Sequence, residues 1–346
     1  MKKWVYLFIT ILFVILTLIG IFNYIIDPLW TFSHKNRLQS HQEGFDERQQ
    51  KLNLIYFNNF NYDGVLLGSS RVTLHDVNTF KDKNIFNLAV DGMRPYEYNS
   101  FIEYAKKRNK KDFEYIILGL DFIAINDFVK NYSIKSKINI TEGSFYRYKT
   151  LFSYDNTLKS IRNIKNIKKY KKRFKTYNQN YVASSFVADG KVVEEKVFNY
   201  IKNTKDKEIE YKREEYINTL KEIIKNNPNS KIIIFSTPLP SPLIKSIFKN
   251  EKNRISYINW MKDLVSISAY FYSFFDVDNV SNDYKNTFMD SGHYYPFIGN
   301  CINQKIFDLE CSSLPQYSDN FGFLIKEENV DEFIYKQFMK VDKIDE

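Results

Sequence analysis

The chain is poor in cysteine: Cys301 and Cys311 are its only two, both late among 346 residues. They match no metal-site spacing and no CxxC redox motif, and a bridge between them requires the chain to fold back between the two positions. Two free or buried thiols are the expectation. Zinc-finger, RNP and helix-turn-helix patterns are absent, so nucleic acid is the weakest partner for a net charge of +9, behind anionic lipid and acidic glycan. His34 and His41 lie near no carboxylate cluster with metal-ligand spacing, and neither a metal nor a cofactor is expected. No internal repeat stands out.

Only one apolar run has the length to span a bilayer. Met1, Lys2 and Lys3 precede residues 4–26, which carry no charge before Asp27. A cleaved signal peptide has a shorter apolar core and a small-x-small cleavage site; neither is visible. An uncleaved anchor over residues 1–30 is expected. Lys2 and Lys3 favour its N-terminus inside, although Lys35 and Arg37 lie not far beyond its other end. Trp4, Tyr24 and Trp30 suit interfacial positions. The rest of the chain is then extracytoplasmic, at a single-pass cytoplasmic-membrane protein. The 30 Phe and 26 Tyr go with abundant Lys, Asn and Ile, which reads as compositional bias rather than as sugar-stacking platforms.

Beyond residues 28–42, an irregular link, a helix is expected over residues 45–57. Strands are expected at 64–67, 84–89, 115–120, 231–235 and 270–276, with helices at 96–108, 208–226, 255–267 and 296–309, the last of the core. Continuous apolar runs such as Tyr115 to Leu120 suit strands buried on both faces. The alternation predicts an α/β fold, a three-layer α/β/α sandwich with a five-stranded, mainly parallel sheet. Its domain spans residues 31–346, with an insertion at about 122–207 and a C-terminal tail from about 312. Ligands of such sheets bind beyond the carboxyl ends of the strands, where Ser70, Gly92 and Asp121 all fall.

Within the insertion, residues 158–175 read as a basic helix. Leu158, Ile161, Ile164, Ile167, Tyr170 and Phe174 form an apolar stripe. Lys159, Arg162, Lys165, Lys168, Lys169, Lys171, Lys172, Arg173 and Lys175 carry charge with no acid among them. A solvated face on a packed helix and a lid or membrane-surface element are both open readings.

Two distant segments carry the chemistry. Gly68-Ser69-Ser70-Arg71 follows the first strand, and Asp290-Ser291-Gly292-His293 places an acid three residues before a histidine. A serine hydroxyl attacks only when a base takes its proton, and a carboxylate fixes the imidazole tautomer. Ser70, His293 and Asp290 supply these parts. Ser70 at a strand-to-helix turn also offers its N–H to an oxyanion. His75 is more readily a surface or core residue than a base. Tyr294 and Tyr295 suit the pocket or its packing equally.

With these motifs in this order, the chain resembles the SGNH, or GDSL-like, hydrolase superfamily, whose sandwich is flavodoxin-like. Gly68-Ser69-Ser70 matches its first block. Asn87 to Gly92 matches the second, whose glycine N–H lines the oxyanion hole. Leu118 to Asp121 falls at the third, and Asp290 to His293 matches the last. The resemblance covers about residues 55–310, apart from the insertion. It is closest in style to membrane-anchored members that modify envelope glycans, such as the D-alanine transfer protein of teichoic acid synthesis and the alginate O-acetylation proteins. It implies Ser70, His293 and Asp290 as the triad and Ser70 and Gly92 as the oxyanion hole. Asp121, Arg71, Asn87 and Arg94 stand in support.

Two positions depart from the family. Ser69 replaces an Asp, as in the anchored relatives, and Asp121 replaces the Asn that donates to the oxyanion. A carboxylate cannot donate unless protonated. Three readings are open: Asp121 pairs with Arg71 or Arg94, the hole has only the Ser70 and Gly92 amides, or the site is weakened. The expected activity is that of a serine O-acyltransferase or esterase on the O-acetyl groups of an envelope glycan, with an acyl donor supplied by a membrane acyltransferase partner. The alternatives are a non-catalytic glycan-binding scaffold, or a lipid esterase or thioesterase with an apolar pocket.

Overall fold

Two apolar runs, Tyr115–Leu120 and Lys231–Ser236, pair in parallel over their whole length within a six-stranded sheet. The computed structural model describes residues 2–32, 41–125, 133–166, 175–205, 207–311 and 314–343. In chain order its first elements are α1 (Lys2–Ile26), β1 (His41–Gln42), α2 (Glu47–Phe57), β2 (Gly64–Leu67), β3 (Ile85–Asn87), α3 (Pro95–Asn109) and β4 (Tyr115–Leu120). Next come α4 (Lys135–Glu142), α5 (Tyr146–Lys149), α6 (Tyr154–Asn166), β5 (Thr176–Asn178), β6 (Ala183–Ser184), α7 (Gly190–Thr204) and α8 (Arg213–Asn226). The remainder are β7 (Lys231–Ser236), α9 (Ser241–Phe248), α10 (Glu251–Ile267), β8 (Phe271–Ser273), α11 (Asn279–Asn282), α12 (Tyr284–Thr287), α13 (Pro296–Lys305), β9 (Phe323–Ile325) and α14 (Val330–Asp342).

The chain divides into two compact units. One comprises Met1–Phe60 with Ser133–Phe186, the other Asn61–Tyr132 with Val187–Glu346. The expected boundary at residue 30 therefore does not separate an anchor from a single domain, and the interruption of the larger unit runs from 133 to 186.

The larger unit holds the mixed sheet, in the order β3-β2-β4-β7-β8-β9. The first five strands are parallel and β9 joins β8 antiparallel. The expectation of five mainly parallel strands thus misses one. The tail expected from 312 adds that edge strand and then α14, which supplies the last helix in place of α13. Helices cover both faces of the sheet. Leu66, Ile117, Ile233 and Phe235 pack on a cluster with Ile298 and Ile302 of α13 and Val193 and Val197 of α7. On the other side Phe271 meets Trp260 of α10 at 6.3 Å. The chain passes from β2 outward to β3 and then back past β2 to β4. Strand order reverses there, so the carboxyl ends of β2 and β4 flank the crevice where such sheets bind ligands.

Cys301 and Cys311 form a disulfide, contrary to the expectation of two thiols. The reversal that this requires is present: α13 ends at Lys305, Asp308 adopts φ 56°, and the Leu309 N–H returns to the Gln304 carbonyl at 3.0 Å.

The smaller unit joins α1 to α2, α4, α5 and α6 and to a three-stranded antiparallel sheet, β1-β5-β6. α1 has the length and apolarity to cross a membrane. Trp4 and Tyr24 are exposed, but Trp30 is fully buried, its indole N–H bonded to Gln42 Oε1 at 2.8 Å. It sits in this unit's core rather than at an interface. The expected link over 28–42 ends in β1. Of the expected basic helix 158–175, residues 158–166 belong to α6, which starts at Tyr154. Residues 167–174 lie outside those described, as does His34. Lys175 is not on a solvated face: its ammonium pairs with Glu47.

Candidate active site

The turn after β2 carries the serine. Gly68 is held by close approach: a Cβ there would stand 2.3 Å from Val72 Cγ2, because the chain doubles back over the strand end. Ser69 O accepts the amides of Val72 at 2.9 Å and Thr73 at 3.3 Å, and Thr73 Oγ1 donates to Ser70 O at 2.7 Å. The helix expected after Ser70 is only a three-residue 3-10 turn, Val72–Leu74. Its contribution to an anion site is correspondingly less than a long helix would give.

The histidine stands on a tight loop. Phe288 and Tyr294 form an antiparallel bridge, and the Met289 N–H donates to His293 O at 2.9 Å. Inside that loop Asp290 Oδ1 accepts the amides of Gly292 and His293, each at 2.8 Å. An aspartate bonding to backbone two and three residues ahead is a turn-forming device. The same carboxylate reaches His293 Nδ1, at 3.0 Å from Oδ1 and 2.9 Å from Oδ2. Ser70 Oγ lies 2.8 Å from His293 Nε2. With Nδ1 donating to Asp290, Nε2 is the acceptor that faces the Ser70 hydroxyl. Burial pushes the Asp290 carboxyl up, but its bonds to His293 and to the Gly292 and His293 amides, with the His293 charge, hold it below the ordinary value.

Arg71 ties the two segments together. Its Nε donates to Gly292 O at 2.6 Å, and its Nη1 pairs with Asp121 Oδ2 at 2.9 Å. Asp121 follows β4 and also accepts from Thr237 Oγ1 at 2.5 Å, at the end of β7. Burial alone raises its carboxyl. The Arg71 charge, hydrogen bonds from Ser69 and Thr237, and the Arg94 charge overcome that and lower it. Asp121 is therefore an ionised acceptor engaged with Arg71, Ser69 and Thr237, and not an oxyanion donor. Of the open readings of this residue, the geometry selects the pair with Arg71. Arg94 caps α3, its N–H donating to Glu97 Oε1 at 3.1 Å, and its charge helps to lower the Asp121 carboxyl.

Gly92 has φ +62° and nothing within 4 Å of a Cβ position, in the loop after β3. That loop is tied to the Gly68–Ser70 turn by Val90 N–H to Gly68 O at 3.2 Å. Asn87 also braces the two loops: its Nδ2 donates to Val72 O at 2.9 Å and its Oδ1 accepts from the Ala89 N–H at 2.9 Å.

His75 is a core residue. Its Nδ1 meets Asn303 Oδ1 at 2.6 Å and its Nε2 meets the Tyr294 hydroxyl at 2.7 Å. Burial lowers it to about 4, against the Asn303 bond, so it is neutral near pH 7. Tyr294 is thereby committed to the core. Tyr295 is buried with its hydroxyl accepting the Ala188 N–H at 2.8 Å. His41 is on β1, and no cluster of metal-ligating side chains occurs among the described residues.

A cleft of about 450 Å³ opens beside the triad. One wall is Arg71, Asp290, Gly292 and His293. The other is α7, which contributes Lys196, Asn199, Tyr200 and Asn203. Their spacing of three, four and seven residues puts them on one helix face. This wall was missed in the sequence. The spacing is readable there, but only the fold brings it opposite His293. Comparison with protein-family models, with curated proteins and with solved structures finds no match.

Proposed function

We propose that this chain is a serine acyl-transfer enzyme of the SGNH type, membrane-anchored and extracytoplasmic, acting on O-acyl groups of an envelope glycan. The observation that carries the reading is the relay from Ser70 Oγ through His293 to Asp290, with links of 2.8 and 2.9 Å, at the carboxyl end of β2 and beside a cleft. Its parts are those that nucleophilic catalysis needs, at hydrogen-bond distance.

In this reading Ser70 Oγ bonds to the acyl carbon as its proton passes to His293 Nε2. The Ser70 and Gly92 amides receive the oxyanion. Collapse breaks the bond to the leaving alkoxide, which takes the proton from His293, and the acyl group stays on Ser70. A sugar hydroxyl or water then gives its proton to His293 as it bonds to the acyl carbon, and the Ser70 Oγ–acyl bond breaks with that proton returning from His293 to Ser70. The first gives a transferase, the second an esterase.

The hydrogen-bonding side chains of the cleft, Lys196, Asn199 and Asn203 beside Arg71 and Asp290, with Ile123 and Tyr200 as apolar surface, suit a hydroxylated acceptor. An extracytoplasmic position draws support from α1 and from the Cys301–Cys311 disulfide, since such bonds persist in oxidising compartments. Labelling with a fluorophosphonate probe tests the nucleophile: labelling of the wild type and its loss in Ser70→Ala are expected. A folded wild type that takes no label favours the non-catalytic scaffold. O-acetyl content of the envelope glycans with and without Ser70→Ala then tests the substrate.

A further inference from the structure

Helix α6 is built with its polar side inward. Its buried residues are Asn156, Ser160 and Asn163, at 4%, 0% and 3% exposure, while Leu158 and Ile161 stand 46% and 37% exposed. Tyr154, Leu158, Ile161 and Ile164 make one stripe at spacings of four, three and three residues, all exposed. Phe145, Tyr148 and Phe152, just before α6, are exposed too. A water-facing helix has the opposite arrangement, and a contiguous apolar surface of this kind marks a contact with another apolar phase.

The buried polar groups have a definite partner. Asn23 of α1 donates to Leu151 O at 2.7 Å and to Thr157 Oγ1 at 2.8 Å, and accepts from Ser160 Oγ at 2.8 Å. Phe152 packs on Gly20, 3.0 Å from where a Cβ would be. These contacts fix where α6 sits along α1. A hydrocarbon layer of about 30 Å takes about 20 helical residues, so a span starting at Trp4 ends near Asn23. The α6 segment that contacts Asn23 is therefore level with the far membrane boundary. There an apolar groove of about 550 Å³ runs between Leu16, Gly20, Ile21 and Tyr24 of α1 and Leu151 and Phe152.

We infer that α6 lies in the membrane interface as a second attachment, its Tyr154, Leu158, Ile161 and Ile164 stripe seated in lipid and the groove filled by acyl chains. Two observations name the bilayer as the occupant. The stripe and groove continue the apolar surface of α1, and the three cations of α6, Lys159, Arg162 and Lys165, against its single acid, Asp155, suit an anionic headgroup layer. Among the described residues, no ion pair or hydrogen bond engages the Lys159 or Lys165 ammonium. Lys165 lies within reach of the stripe, so its stem can stay in lipid while its charge reaches the headgroups.

The test uses the full chain in nanodiscs of phosphatidylcholine and phosphatidylglycerol. An NBD fluorophore is placed in turn on Phe13→Cys, Leu158→Cys and Ile161→Cys; all three sites are exposed, and the native cysteines are engaged in their disulfide. The probe at 13 should be quenched most by lipid carrying a doxyl group deep in the chain. The probes at 158 and 161 should be quenched most by a doxyl group near the headgroup and shielded from aqueous iodide. Quenching at 13, with 158 and 161 open to iodide and unaffected by doxyl lipid, overturns the interfacial helix and leaves the anchor standing. No doxyl quenching at any site overturns both.

Discussion

Arg71 joins three parts of the site with one guanidinium: the Gly68–Ser70 turn it follows, the carbonyl of Gly292 and the carboxylate of Asp121. Its side chain is 12% exposed and that of Asp121 is 6% exposed. Removing one member of such a buried pair typically costs about 3 kcal/mol or more, because the other charge is left unpaired. Asp121→Asn keeps the side chain's size but removes its charge, and should lower the thermal midpoint by roughly 6–12 °C and slow fluorophosphonate labelling. Faster labelling would instead mean that position 121 serves the oxyanion. The meeting of Ser70, His293 and Asp290 was legible from motif order, and the Arg71–Asp121 pair was one of the open readings; the Arg71 bond to Gly292 O, 221 positions away, was not, since nothing local pairs them. Two other buried groups set opposing pH responses in the same unit. His75, lowered to about 4 by burial, favours the folded state when neutral, so its contribution is full above its ordinary value of 6.5 and is lost on acidification toward 4. Asp278 caps α11 by accepting the Ser281 N–H at 2.8 Å. Burial raises it to about 7, so its contribution is full below 3.8 and is lost as pH rises through 7. Between pH 7 and 4.5 each amounts to about 3 kcal/mol, of opposite sign. Thermal midpoints should therefore show His75→Gln gaining stability on acidification relative to wild type, and Asp278→Asn losing it.

The α7 face is the element most exposed to a direct test of the acceptor. Asn199 and Asn203 are exposed and border the cleft, and no hydrogen bond engages either side chain among the described residues. A hydrogen bond to a sugar hydroxyl contributes about 1 kcal/mol, or about fivefold in affinity. Asn199→Ala and Asn203→Ala should each raise KM for a glycan acceptor by about that factor, with the smaller effect on kcat; acceptor titrations measure it, and unchanged KM in both removes α7 from the binding wall. Elements differed in how far the sequence disclosed them. The runs at β4 and β7 are continuous and apolar because both faces of those strands are covered, and they fall where expected. β9 is a three-residue edge strand, too short to carry a period. α14 did carry one, with Val330, Ile334 and Val341 buried at spacings of four and seven, and the Gln337 side chain donates to Phe275 O at 2.8 Å. It lay past the last element anticipated, in a stretch taken for a tail.

At the scale of the whole molecule, α1 is not a detachable anchor. Its last turns and the residues after it belong to the core of the smaller unit. Asn23 satisfies Thr157 and Ser160, the Pro28 and Leu29 carbonyls accept from Gln50 and Asn53 at 2.8 Å each, and Trp30 lies against Tyr177 and Tyr181 at 5.1 and 5.4 Å. The sequence could not show this, since hydropathy marks where a span ends but not what its end touches. Deleting residues 1–30 to make a water-soluble protein would strip a buried Trp, worth about 3–5 kcal/mol in a core, and leave several buried amides and hydroxyls without partners, at about 1–3 kcal/mol each. The smaller unit should then lose its packing, while the triad, drawn wholly from residues of the larger unit, keeps its own contacts. Limited proteolysis of the truncated protein should therefore cut first within residues 133–186, and fluorophosphonate labelling of Ser70 should persist. Resistance of that segment to protease would show that the smaller unit's core stands without α1.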